Sequence, residues 1–127
     1  MPIVYVDVHE GIEVEERKVL VKGINDAMRD VYPPTDHRIY VREWPFDSVS
    51  QDGQVGWERP RLVIQFLGPR LAIEAKRKMM KDTTAAVANA YKTPLDFAVF
   101  LQEYPDDQVA INGNLVSDLL ADRKERL

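Results

Sequence analysis

Pro2 is the residue whose position most directly implies chemistry in this sequence. Removal of the initiator Met1 ahead of a proline leaves a free secondary amine at the chain end. An α-amino group titrates near ~7.7–8.0, and apolar surroundings or nearby cations lower that value by disfavouring the charged form. Such an amine is unprotonated at neutral pH and poised to take a proton from a substrate and return it. Few other groups compete for the role. The chain has no cysteine, which excludes disulfides, thiolate catalysis and zinc ribbons. His9 and His37 stand in no metal-ligand spacing such as H-E-x-x-H, and we read them as surface or packing residues.

The elements that must position Pro2 are legible as periodicities. Residues 3–8 alternate, with Val4, Val6 and Val8 on one side and Ile3, Tyr5 and Asp7 on the other, which predicts a strand ended by Glu10-Gly11. A helix is expected over 13–32, with an apolar stripe of Val14, Leu20, Ile24, Ala27 or Met28, and Val31. Pro33-Pro34 stops it, because proline lacks the amide donor a helix needs and disfavours helical geometry in the residue before it. A second strand is expected over 38–44, with Ile39 and Val41 inward and Arg38, Tyr40 and Arg42 on the opposite face.

The second half repeats this plan. Leu62, Ile64 and Phe66 alternate after Pro60, a helix is expected over 72–91, and 97–103 reads as a strand. A shift of sixty residues pairs Pro34 with Pro94, Ile39 with Val99, Glu43 with Glu103, Trp44 with Tyr104 and Val49 with Val109. The same shift pairs Asp52-Gly53 with Asn112-Gly113, two strong hairpin turns. For the first strand the shift is fifty-eight, pairing Pro2 with Pro60. The expected fold is α/β (α+β): two fused β-α-β units forming one four-stranded sheet with both helices on one face. Repeat one covers about 2–55, the linker 56–59, repeat two about 60–117 and a solvated tail 118–127, all within a single domain of 1–127. The other sheet face keeps Ile3, Val63 and Phe100, so it needs a cover, and oligomerisation is the expected one.

This arrangement resembles the tautomerase superfamily, whose members build β-α-β units and use an amino-terminal proline as base. It is most similar to 4-oxalocrotonate tautomerase, whose short subunit looks like each half of this chain, in a fused two-unit form. Residues 2–11 resemble that family's opening strand and its Glu-Gly step. Residues 103–117 resemble its closing hairpin, with Asn112-Gly113 at the turn.

The resemblance implies a homotrimer, a small 2-oxo acid or enol as substrate, and no cofactor or metal. It assigns one arginine to Arg70, ten residues after Pro60, and a second to Arg38, five before Glu43; the opposite halves have Ile12 and Ala98 there. Pro2, Arg70 and Arg38 are thus the expected catalytic residues. Arg42 and Tyr40 share the face of Arg38 and are expected either to line the pocket or to meet a subunit interface. Asp36 matches an acid that decarboxylase relatives use. The family's aromatic wall is replaced by Val49 and Val109, and the position of a water-activating acid is held by Ile111. Pro60 lies inside the chain, so its nitrogen is an amide without basicity and one working site per chain is expected.

Tautomerisation, decarboxylation of a 3-oxo acid and an inert oligomeric binding module all remain open at this level. Bulk composition narrows the field further. Apolar residues make up 45% and charged residues 30%, a globular balance. The net charge of −4 carries no nucleic-acid footprint. Trp44 and Trp57 are read as core or interface anchors and Arg61 as structural. No apolar run approaches the ~20 residues of a membrane span and no signal peptide precedes the first strand, so a cytoplasmic location is expected.

Overall fold

The computed structural model describes residues 2–33 and 36–126, the side chains of 123–126 excepted; Met1 and Pro34, both used in the sequence argument, lie outside the described residues. The alternating β-branched residues of the first stretch form strand β1 (Ile3–His9), and their equivalents form β5 (Arg61–Gly68). These two run antiparallel at the centre of a mixed four-stranded sheet. Parallel neighbours β2 (Arg38–Trp44) and β6 (Asp96–Glu103) flank them, giving the order β2-β1-β5-β6. Val6 and Ile64, equivalent in the two repeats, face one another across the central pair. An approximate two-fold axis therefore passes between them.

Helices α1 (Val14–Arg29) and α2 (Ile73–Ala90) lie together on one face. The first is opened by a capping box, in which Glu13 takes the cap position and the Glu16 carboxylate accepts its backbone N–H at 3.1 Å. Val14, placed in the apolar stripe by its spacing, is instead 61% exposed: as the first residue after the cap it overhangs the sheet, and the buried stripe begins at Leu20. The helix also ends at Arg29 rather than Tyr32, although the Tyr32 N–H still donates to the Met28 carbonyl at 2.9 Å. The helices meet where Gly23 lies against Ala86; a Cβ at Gly23 would sit 2.5 Å from that of Ala86. Small residues at this crossing allow both helices to reach the sheet.

Between sheet and helices Val4, Val6 and Val8 join Leu62, Ile64 and Phe66 against Leu20, Ile24, Met28 and Met79, all essentially inaccessible. Each such side chain contributes on the order of 1.5–3 kcal/mol by leaving water. Ile39, Val41, Val99 and Leu101 pack on the same core from the outer strands.

Each repeat ends in a small hairpin, β3 (Ser50–Gln51) with β4 (Gln54–Val55) and β7 (Ala110–Ile111) with β8 (Asn114–Leu115). Their turns, Asp52-Gly53 and Asn112-Gly113, have positive φ at both residues, the conformation those dipeptides favour. The tail forms α3 (Val116–Arg126), starting directly after β8. No helix of the described residues is long and apolar enough to cross a membrane.

Candidate active site at the sheet end of Pro2

Parallel pairing of β1 with β2 and antiparallel pairing with β5 bring three chain segments to the same end of the sheet. In register, Ile3 stands between Arg38 on one side and Leu67 on the other. Pro2, one residue earlier, is fully buried. β6 also ends here, so the second hairpin closes over this end. The result is a pocket of about 280 Å3 walled by Ile3, Leu67, Pro69, Val109 and Val116, with Tyr104, Asp106 and Gln108 at its polar side. Pro2 sits one residue behind the lining residue Ile3; apolar walls disfavour an ammonium, while the Asp106 carboxylate favours it.

Arg70 directly follows the pocket residue Pro69 and is exposed, outside the pocket lining itself. Arg38 lies at the same sheet end on the open face. Its Nε donates to Asp36 Oδ1 at 3.0 Å, and that hydrogen bond and charge hold the guanidinium above its ordinary pKa. Asp36 has φ of 58°, a left-handed conformation that aspartate tolerates better than most side chains. Pro2, Arg70, Arg38 and Asp36 are therefore gathered at one end.

The other two candidates are placed elsewhere. Tyr40 stacks on Tyr5 in the middle of the open face, ring centroids 5.6 Å apart. Arg42 forms a bidentate pair with Asp7, donating from Nε at 2.8 Å and from Nη2 at 2.9 Å. The Trp44 indole donates to the same carboxylate at 2.7 Å, and the Arg42 guanidinium lies 4.6 Å from the centre of the Tyr5 ring. This pairing follows from parallel register, which sets Asp7 opposite Arg42. The two family-position acids are also occupied: Glu43 accepts from Arg17 at 3.1 Å and Glu103 pairs with Lys76.

The opposite end of the sheet holds Pro60 and a larger pocket of about 730 Å3. Asp7, His9, Arg42, Trp44, Trp57, Arg59 and Arg61 line it together with Val49 from the first hairpin. Val49 and Val109 thus stand at equivalent places in the two pockets, as the repeat implies. Trp44 and Trp57 belong to this pocket rather than to the core. The residues that sequence reasoning missed at the Pro2 end are Pro69, Tyr104, Asp106 and Gln108. Their signal was the repeat itself: antiparallel pairing of the halves puts the second hairpin, not the first, over Pro2.

No protein-family model matches the chain, and no curated protein matches it in sequence. Solved structures do. A native fused 4-OT superposes with a TM-score of 0.77 at 19% identity, covering 92% of this chain and 98% of that one. A fused 4-OT solved as a wild-type symmetric trimer gives 0.74 at 20% identity, over 91% and 96%. A malonate semialdehyde decarboxylase studied for its decarboxylase and hydratase activities gives 0.74 at 21% identity, over 94% and 98%. These likenesses show the fold.

Proposed function

We propose that this chain, which has the fold of the tautomerase superfamily, is a cofactor-independent isomerase interconverting the keto and enol forms of a 2-oxo acid or 2-hydroxydienoate. The carrying observation is that Pro2 is buried directly ahead of Ile3, which lines a mostly apolar pocket; a freed secondary amine at a buried position loses solvation that would keep it charged. Pro2 takes a proton from the enol hydroxyl or the carbon acid and returns it to another carbon. Charge grows on the 2-oxygen as the proton leaves. Arginine's planar fork matches a carboxylate with its adjacent oxygen bidentately, and fixed cations aimed at the developing oxyanion lower the barrier. Arg70 and Arg38 hold these groups.

Arg38 serves the Pro2 of its own chain or that of a neighbouring chain in a homotrimer. Supporting the trimer, the open sheet face exposes Tyr40 at 47% and Phe100 at 55%, and fused 4-OT structures are described as trimers. A second reading, decarboxylation of a 3-oxo acid, draws support from Asp36, held by Arg38 at the Pro2 end of the sheet.

The deciding experiment is the intact mass of the purified protein followed by ketonisation of 2-hydroxymuconate and phenylenolpyruvate. A mass lacking one Met, with turnover that Pro2→Ala abolishes and Asp36→Asn spares, is the expected result. Loss of activity toward a 3-oxo acid in both variants selects decarboxylation. Retention of Met1, or a processed protein inert toward all three, overturns both and leaves a binding scaffold.

A further inference from the structure

The pocket at Pro60 plays no part in the proton transfer proposed above, yet it is the larger of the two. Its volume of about 730 Å3 falls within the ~300–1,000 Å3 typical of small-molecule sites. Pro60 offers only an amide nitrogen there, so the base proposed at the other end has no counterpart here. The side chains around it suit one ligand chemistry.

Two flat walls come from Trp44 and Trp57. The Trp44 indole is pinned by its hydrogen bond to Asp7, and the Trp57 ring is fixed edge-on against Phe46 at 4.8 Å between centroids. Pre-set aromatic faces of this kind bind conjugated rings at low entropic cost.

The cations divide into spent and unspent. Arg42 is committed to Asp7 through two hydrogen bonds. Arg61 has only a 3.8 Å approach to Asp96, with both side chains more than half exposed, a pairing of little energetic weight. Arg59 has no ion-pair partner among the described residues and lies on the pocket lining. Asp7 is neutralised by Arg42. Asp52 and Asp96 also line the pocket, so the guanidinium groups offered to a carboxylate beside the two indoles are Arg59, unpaired among the described residues, and Arg61, held only by its long contact with Asp96.

We infer that the Pro60 pocket is a second, non-catalytic binding site for a planar aromatic or conjugated carboxylate. The ring lies along Trp44 and Trp57, and the carboxylate is held by Arg59 and Arg61. The site does not depend on Pro2 acting as a base.

Both tryptophans of the chain line this pocket, so its occupancy has a private signal. Benzoate is titrated into the 15N-labelled full-length protein while the two indole N–H resonances are followed. Both are expected to shift along one saturable curve. Arg59→Ala with Arg61→Ala weakens that binding at least about tenfold, Arg59→Lys gives an intermediate loss, and Pro2→Ala leaves it unchanged. Benzamide, which lacks the charge, binds at least about tenfold more weakly. Circular dichroism of each variant guards against unfolding. Indole signals that stay still or move without saturation overturn the inference. So does equal binding of benzamide and benzoate, or loss of the shifts in Pro2→Ala.

Discussion

The two ends of the sheet are built from the same parts but line their pockets differently. Each gathers a proline ahead of a central strand, the end of the antiparallel partner and a hairpin with a valine over the opening. At the Pro2 end the walls are Ile3, Leu67 and Pro69; at the Pro60 end the matching region carries Arg61, His9 and Asp7. The first environment suits a neutral amine that takes up a proton and gives it back. The second suits a bound anion. What separates them is a handful of side chains on one scaffold, together with, under the proposed function, a proline nitrogen that is an amine at one end and an amide at the other.

Removing each proline tests that contrast most sharply. Pro2→Ala is expected to lower kcat/KM for enol ketonisation by about 10²–10⁴, the range of a lost general base. Pro60→Ala leaves it within about twofold. A Pro60→Ala effect matching that of Pro2→Ala in steady-state assays sinks the assignment of one working end.

The arginines give the next contrast. Arg70→Ala is expected to cost on the order of 10²-fold in kcat, as for other groups aimed at a developing oxyanion. Arg59→Ala, at the other end, leaves kcat unchanged. Equal losses would mean that turnover draws on both pockets.

Gly56 sharpens the comparison through packing. Its φ is +97°, and a Cβ there would fall 2.2 Å from the Phe46 ring that braces Trp57. Its equivalent in the second repeat is Val116, and the two make matching backbone bonds to Val49 and Val109. Gly56→Val copies the second repeat into the first. It is expected to destabilise the protein by about 1–3 kcal/mol in urea titration, from overpacking and the positive φ together. The Trp57 fluorescence changes, while the Pro2 end keeps its turnover.

The smallest effect concerns two tyrosines, one beside each end. Tyr32 packs its ring on Gly68 near Pro2, and Tyr91 lies 6.2 Å from His9 near Pro60. Burial pushes both up to about 12, with Glu103 adding to the effect at Tyr32 and Glu16 at Tyr91. The folded state then binds the phenolic proton more tightly than the unfolded chain. The stability this provides is complete below pH ~10 and is lost as pH rises through about 12. Thermal melts over that window should show the decline, and Tyr32→Phe should flatten it. The Tyr91 hydroxyl is buried without a hydrogen-bond partner among the described residues, so Tyr91→Phe is expected to cost nothing at neutral pH.

Much of the fold was written in local pattern. Val4, Val6 and Val8 alternate because one sheet face meets the helices, and Asp52-Gly53 and Asn112-Gly113 declare their turns through the backbone freedom those residues have. The repeat carried the rest of the topology, including the convergence of Pro2 with the chain leading to Arg70. The contents of the open face were less legible. That Asp7 takes Arg42 and Trp44 depends on the register between two strands about thirty residues apart, which neither strand's own pattern states. Val14 fits the helical period yet lies exposed, because period alone does not say where the helix overhangs its sheet. The Pro60 pocket escaped notice because a proline without a basic nitrogen draws no attention to what surrounds it.

The short connection ahead of Pro60 also has a chemical meaning. The Arg59–Pro60 peptide bond is a permanent protecting group on what would otherwise be a second secondary amine, set at the two-fold-related end of the same sheet. Its acyl half is Arg59, which lines the same pocket as Pro60. One covalent bond therefore removes a potential base and sets a cationic residue beside it.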